Sequence, residues 1–254
     1  MENRNWEASS LILSLESLTS AHKIAKVLIN SPTHTYIIDA TMFGGAKNKI
    51  ASFFMPYYTG TLWLYTNPIK EAHKVVDFDV LKERWGIRDS LTRIWAATLA
   101  TELCIKLKTS IDWRLINGFL DGINISNDEE CNIATLRFIW RLSILSGFAS
   151  PVLECSYCKK KSGVGGLYFE HSMSEFFCSE CCQDKNNASY LCADALEYLY
   201  KIIYKSPKEA RCAKLSSKAI SNLRVFLFRF AEDMCSSNLY TLSFKNPIYI
   251  TTQL

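Results

Sequence analysis

The sequence holds no apolar run long enough to cross a bilayer: stretches such as Leu11 to Leu15 and Trp95 to Leu99 fall far short of the roughly 20 residues a spanning helix needs. The start Met1-Glu2-Asn3-Arg4-Asn5-Trp6 has neither a cationic head followed by an apolar block nor a small-residue cleavage site, so the expectation is that the chain is not secreted. The expectation is a cytoplasmic protein with no membrane association. There is no G-x-x-x-x-G-K-S/T and no G-x-G-x-x-G, so the loops that cradle nucleotide phosphates are absent. None of the four histidines, His22, His34, His73 and His171, has Glu two residues later, which excludes the H-x-E of zinc nucleobase deaminases. The C-x-x-C pairs lie outside any βαβ pattern, which speaks against a thioredoxin-like redox site. One enzymatic reading is left, a cysteine nucleophile paired with one of those histidines, and the expectation is that the chain is not an enzyme. Internal repeats, low-complexity tracts and long Gly/Ser linkers are also missing.

What is present is a core. The 254 residues are 48% hydrophobic and 21% charged, which suits two modest domains and is too apolar for disorder. Ten cysteines in so long a chain do not make a disulfide scaffold. Six of them, Cys104, Cys131, Cys182, Cys192, Cys212 and Cys235, are scattered and read as small core residues in a reducing compartment. The net charge of +4 arises in the last third: residues 155–254 carry 13 Lys and Arg against 9 Asp and Glu, while residues 1–80 carry 7 of each and residues 81–154 carry 9 of each. Four thiolates around one zinc would halve that surplus, so charge alone does not argue for nucleic acid.

The first 80 residues predict strands. Lys23 to Ile29 and His34 to Ala40 are β-rich runs separated by Asn30-Ser31-Pro32-Thr33, the composition of a tight turn. With Ser9 to Leu15, Gly60 to Thr66 and His73 to Val80 they give about five strands and a small antiparallel barrel or sandwich. From Ile87 the period changes. Asp89 or Ser90 caps a first helix, Asp112 starts a second through Leu120, and Asn127 starts a third that ends at Gly147, with Asp128, Glu129 and Glu130 in its first turn. Two more helices are expected over roughly Ser189 to Tyr204 and Ser216 to Met234. These expectations place a boundary near residue 80, giving domains 1–79 and 80–254.

The strongest local signal is Cys155-Ser156-Tyr157-Cys158 followed by Cys178-Ser179-Glu180-Cys181, two C-x2-C pairs at structural zinc spacing. Gly163, Gly165 and Gly166 between them suit a hairpin that folds the second pair onto the first, and Cys182 is an alternative to Cys181 as fourth ligand. A site closed by four thiolates leaves no position for water and is therefore structural. Two weaker signals follow. The loop Phe43 to Lys49 offers Lys47 and Lys49 to phosphates, and Phe53, Phe54, Tyr57, Tyr58, Trp63 and Tyr65 are either barrel core or stacking faces for bases. On the third helix Arg137 and Arg141, four apart beside the stripe Ile133, Leu136, Trp140 and Ile144, can grip a carboxylate-bearing peptide or a phosphate, or are simply an exposed or salt-bridged pair.

Residues 138–158, FIWRLSILSGFASPVLECSYC, resemble the bacterial RecO family, in which a leucine-rich helix runs into G-F/Y-x-P, a leucine and C-x2-C. The matching positions are Arg141, Leu142, Leu145, Gly147, Phe148, Pro151, Leu153, Cys155 and Cys158, and Cys178 and Cys181 stand where that family places its second pair. The strand-rich start and the loop Gly44 to Lys49 agree with it as well. The resemblance implies an α+β protein: an N-terminal OB-fold β-barrel, then a helical domain containing a four-cysteine zinc finger at about residues 153–185. It implies a recombination mediator, nucleoid-associated in the bacterial cytoplasm. Such proteins bind single- and double-stranded DNA, anneal it, engage RecR and the acidic tail of single-strand DNA-binding protein, and help RecA load. The chain departs from the family in its loop, which is less basic than usual; Lys159, Lys160, Lys161, Lys205, Lys208, Arg211, Lys214 and Lys218 can move phosphate contact to the carboxyl side. A zinc-ribbon adaptor without direct DNA binding is the alternative.

Overall fold

Alternating apolar residues in the first third lie on five strands: β1 (Asn5–Thr19), β2 (His22–Asn30), β3 (Thr35–Phe43), β4 (Thr59–Asn67) and β5 (Ala72–Lys82). In this computed structural model, which describes residues 4–19, 22–43, 49–107, 109–161 and 165–243, they close into a barrel of order β1-β2-β3-β5-β4. All pairings are antiparallel except the short parallel contact of β3 with β5 at Ala40↔His73 and Thr41↔Lys74. The expected hairpin is β2–β3, in register from His22↔Phe43 to Asn30↔Thr35. Inward residues such as Ile12, Val27, Met42, Phe54, Leu62 and Phe78 fill the barrel. At Gly60 a Cβ would sit 2.1 Å from the Asp79 carbonyl oxygen, so β4 approaches β5 there at a distance only glycine permits.

Two helices belong with this barrel. Ser90 caps α1 (Leu91–Lys106) by accepting from the N–H groups of Thr92 and Arg93, and Asp112 caps α2 (Trp113–Ile123) by accepting from that of Leu115. The compact units of the chain are Met1–Ser126 and Asn127–Leu254, so the division falls after α2 and not at residues 79–80. The change of period marks where strands give way to helices, and hydrogen bonds hold this helical segment to the barrel. Thr35 Oγ1 donates to the Ile111 carbonyl at 2.6 Å, and Tyr57 Oη lies 2.9 Å from Thr98 Oγ1.

Arg84 is the central tie. It is buried and left-handed (φ 52°), a conformation that side chains rarely adopt. Its Nη1 donates to the Tyr57 carbonyl at 2.6 Å and Thr59 Oγ1 at 2.8 Å, its Nη2 to Asn117 Oδ1 at 2.7 Å, and its Nε to Asp121 Oδ1 at 2.7 Å. Burial of the guanidinium pulls its pKa down against the opposing effect of Asp121.

The second unit begins with α3 (Asp128–Leu145), capped by Asn127 and closed by Gly147 at φ 76°. Gly147 N–H donates to the Ile144 carbonyl and Phe148 N–H to that of Ser143, which is the Schellman pattern. Then come β6 (Leu167–Glu170), β7 (Glu175–Phe177), β8 (Ala188–Leu191), α4 (Ala193–Tyr204), α5 (Pro207–Cys212) and α6 (Ser217–Cys235). The unit is therefore not purely helical, as it contains a three-stranded sheet of order β7-β6-β8. β8 takes residues expected to open the helix at Ser189, because Leu167↔Leu191 and Phe169↔Ser189 pair across the sheet. α5 has no counterpart among the expected helices; Ser206 and Glu209 form a reciprocal capping box around Pro207 at its start. Phe226 of α6 is the hub of the core, with ring centroids 4.8 Å from Phe169, 6.0 Å from Phe176, 5.6 Å from Phe230 and 6.1 Å from Trp140. No helix among the described residues is long and apolar enough to cross a membrane.

Replacing Arg84 by Met should lower the stability of the barrel unit by about 3 to 5 kcal/mol, since Asp121, Asn117 and two further acceptors lose their donor. Lys should rescue little, because an ammonium cannot serve four acceptors in a fork. Urea unfolding followed by circular dichroism checks both; an Arg84→Met protein as stable as the parent would show that the network is dispensable.

Candidate metal centre

A C-x2-C turn needs its two sulfurs on one side, and each pair here achieves this with backbone N–H groups. In the first turn the N–H groups of Cys158 and Tyr157 point at the Cys155 sulfur, and in the second those of Glu180 and Cys181 point at Cys178. Lys159 closes the first turn at φ 59°, its N–H donating to the Cys155 carbonyl at 2.9 Å. The β6–β7 hairpin carries the second pair back. Its turn is His171–Ser174, with Ser174 at φ 55°, so the glycines are not the reversal itself. Gly163 lies outside the described residues, and Gly166 (φ 67°) leads into β6, where a Cβ would lie 2.3 Å from the Leu191 carbonyl oxygen. Ser156 N–H donates to the Phe176 carbonyl at 2.8 Å, which docks the first turn on β7.

The result is a cluster in which the sulfurs of Cys155, Cys158, Cys178 and Cys181 all lie within 4.8 Å of one another. Four such sulfurs could hold one metal ion. Cys158 Sγ and Cys178 Sγ are 3.7 Å apart, and two metal–sulfur bonds of about 2.3 Å at a tetrahedral angle require about 3.8 Å. Cys182 is buried but is not in the cluster. Burial opposes a thiolate at Cys155, yet the N–H groups of Cys158, Cys178 and Tyr157 outweigh it and bring the pKa down to about 6. Cys181 is pushed up to about 12, first by its hydrogen bond with Cys178, then by burial and the other sulfurs. The four sulfurs thus differ in how readily they lose a proton, and a cation bound among them would displace the protons that remain.

Behind the sheet stands a group that sequence reasoning did not single out. The Ser189 hydroxyl lies 2.7 Å from His171 Nε2, and His171 Nδ1 pairs with the Asp233 carboxylate. The order is that of a hydrolase triad, but Ser189 and His171 are both buried, and the chain ties β6 and β8 to α6. Burial holds His171 below the ordinary histidine value against the pull of Asp233, so the ring is neutral, with Nδ1–H donating to Asp233. The only sequence clue was a polar residue following the apolar run of β6. Of the histidines, His34 Nδ1 lies 2.9 Å from Thr33 Oγ1, His73 Nδ1 lies 2.9 Å from Thr66 Oγ1, and both ring nitrogens of His171 are engaged by Asp233 and Ser189.

The remaining candidates are dispersed. Lys47 lies outside the described residues, as does the side chain of Lys49, which opens a 3-10 turn. Phe54 and Tyr58 are barrel core, Phe53 is exposed, and Tyr57, Trp63 and Tyr65 are half-buried. Arg137 and Arg141 do not form an open cationic pair. Arg137 is buried, paired with Glu130 and donating to Tyr198 Oη at 3.0 Å, while Arg141 donates through Nε and Nη2 to the Ile202 carbonyl. Both join α3 to α4, whose free carbonyl and phenol lie within reach of an arginine fork. Arg141 is pushed down by burial and by the nearby Arg137 and Arg211 cations. Of the six scattered cysteines, Cys104, Cys131 and Cys182 are buried, Cys192 and Cys235 half-buried and Cys212 exposed; none of the ten is in a disulfide. Lys159 and Lys160 each have a carboxylate at 3.9 Å, Glu154 and Glu180, whereas Lys205, Lys208, Arg211, Lys214 and Lys218 are exposed around α5. One aromatic was overlooked: exposed Trp85 lies over the Arg88 guanidinium, 5.3 Å from its ring centroid, a contact the W-x-x-R spacing offered as a clue. No family model matches this chain, and no curated protein matches it.

Protein prepared without chelator should carry about one metal ion per chain, which Cys155→Ser or Cys178→Ser removes and Cys182→Ser does not. Uptake should weaken as the pH falls, because protons compete for the sulfurs. Elemental analysis and cobalt substitution, read through thiolate-to-metal absorption, check this. Metal retained by Cys181→Ser and lost by Cys182→Ser would reassign the fourth ligand.

His171 gives a second expectation, with its sign set by burial. The unfolded histidine titrates near about 6.5 and the folded one lower, so its contribution is present above about 6.5 and lost as the pH falls through the folded value. His171→Asn should therefore flatten the fall in stability between about pH 7 and 5, measured by urea unfolding with metal saturating. An unchanged slope would mean that His171 does not titrate on unfolding.

Proposed function

We propose that this chain is a DNA-repair and recombination mediator of the RecO type. On this reading it binds and anneals single strands and helps load recombinase on DNA coated with single-strand binding protein. The observation that carries it is the closed five-strand barrel of order β1-β2-β3-β5-β4, followed in the chain by a unit built around four converging cysteines. Those parts stand in the sequence order that the resemblance implies, and on this reading the barrel is an OB-fold. The metal is zinc, which four soft thiolates in a tetrahedron suit, and its role is structural because no position remains for water.

On this reading the phosphate contacts of the second unit come from the exposed basic set Lys205, Lys208, Arg211, Lys214 and Lys218, and those of the first from Lys47 and Lys49, whose side chains lie outside the described residues. Exposed Phe53 and Trp85 are the aromatic faces for unpaired bases. RecR and the acidic tail of single-strand binding protein are the proposed partners. Arg141, half-buried beside Arg211, is the more accessible of the two arginines for such a tail.

Annealing of complementary oligonucleotides, with and without single-strand binding protein, tests the function directly. Replacing Lys208, Arg211 and Lys214 by Ala should weaken single-strand binding and flatten the slope of log affinity against log salt by about 2. The Lys47→Ala, Lys49→Ala pair should flatten it by about 1 to 2. Absence of binding and annealing at low salt would refute the mediator and leave the zinc-ribbon adaptor.

A further inference from the structure

β1 outruns its neighbour. Its ladder with β4 runs from Asn5↔Tyr65 to Leu11↔Thr59 without interruption, whereas its ladder with β2 starts only at Ser9↔Asn30. β2 stops there, and the chain turns away, with Ser31 N–H donating to the His34 carbonyl at 3.1 Å. Among the described residues, Asn5 to Ala8 therefore have a strand on one side only. The phase of the ladder says which groups are left over. Thr66 N–H donates to the Arg4 carbonyl at 2.8 Å, so the alternation turns the backbone groups of Trp6 and Ala8 to β4 and the N–H and C=O of Glu7 to the vacant side.

A cavity of about 440 Å³ opens at that edge, lined by Trp6, Glu7, Ser9, Asn30, Pro32 and Tyr36 among others. We propose that this edge is a docking site for an extended basic peptide, which pairs with the Glu7 backbone and continues the line of β2 past its end. Main-chain donor and acceptor at strand spacing select a polypeptide over other ligands, as in strand addition to sheet edges generally. Asn5 to Ala8 span about 10 Å at strand rise, room for three or four residues. Glu7 is exposed and is the single charged residue lining the cavity; its carboxylate forms no ion pair among the described residues. It selects a Lys or Arg on the incoming strand and repels a polyanion. Pro32 and Tyr36 give an apolar side chain its surface. The edge carries neither Pro nor Lys, the residues with which edges block such pairing. This site does not depend on the proposed mediator function.

The probe is a fluorescein-labelled Thr-Val-Lys-Val-Thr peptide, titrated against the full chain by anisotropy. It should bind, and the same peptide with its main-chain lysine nitrogen methylated should bind up to about tenfold more weakly, having lost the donor that faces the Glu7 carbonyl. Glu7→Pro removes a donor that the fold itself does not use, is tolerated at an edge, and should cost a similar factor. Glu7→Gln keeps the backbone intact and should weaken binding about threefold, which maintains the test if the proline variant misfolds. Hydrogen exchange at the Glu7 amide should slow when the peptide is present. No binding, equal binding of the methylated peptide, or an unprotected Glu7 amide would overturn the proposal. Protection of the same amide by oligothymidylate would overturn it too, by assigning the edge to nucleic acid.

Discussion

Four sulfurs held within 4.8 Å of one another are the constraint around which the second unit is organised. Thiolates at that separation repel, and thiols waste the donors aimed at them, so the arrangement is stable only if a cation or retained protons neutralise it. The backbone is committed to the cation. N–H groups point at Cys155 and Cys178, and the β6–β7 hairpin brings the second pair to the first. The same hairpin places Phe169 and Phe176 against Phe226, so the four-cysteine cluster and the aromatic core share one short sheet. Each such ring pair adds roughly 0.5 to 1.5 kcal/mol beyond its buried area. Together with the His171–Asp233 link, these contacts fasten α6 to that sheet.

The first unit solves a different problem. A barrel closed by only two parallel pairs between β3 and β5 needs support at its seams. Arg84 supplies part of it from a strained backbone conformation, reaching the start of β4 and two residues of α2 at once. Such a group is costly to desolvate and more costly to orphan, which is why the helices after the barrel cannot be separated from it as an independent piece. Thr35 and Ile111 make a second such link through a buried pair of hydrogen bonds.

Electrostatics divide the functional reading along the same line. Arginines on α3 that a linear reading presents as a grip for an acidic peptide are consumed in joining helices, while cations around α5 stay in water. Exposed lysines contribute little to the fold and much to any polyanion contact. At the barrel, the free edge of β1 is lined by one carboxylate and suits a partner of the opposite charge. The two units thus offer surfaces of different character, one suited to phosphate and one to peptide backbone.

The strands of the barrel were legible in sequence as short β-rich apolar runs, of which Leu11 to Leu13 and Val27 to Ile29 are buried on both faces, and Asn30-Ser31-Pro32-Thr33 has the composition of a turn. The helix starts at Ser90, Asp112 and Asn127, and the Gly147 stop, were legible because capping is local chemistry written within four residues. The cysteine set was legible from spacing, since a C-x2-C turn encodes its own geometry. β6, β7 and β8 were not: strands of three or four residues carry too little periodicity, and Ser189 to Leu191 joins a sheet only because residues 167–170 lie beside it. The fates of Arg137, Arg84 and His171 were likewise settled by partners 61, 33 and 62 residues away in the chain. Local propensity and spacing determine which elements form and which sulfurs gather. Which charges are buried, which edges stay open and where one unit ends depend on contacts between distant segments, and these exist only once the chain has folded.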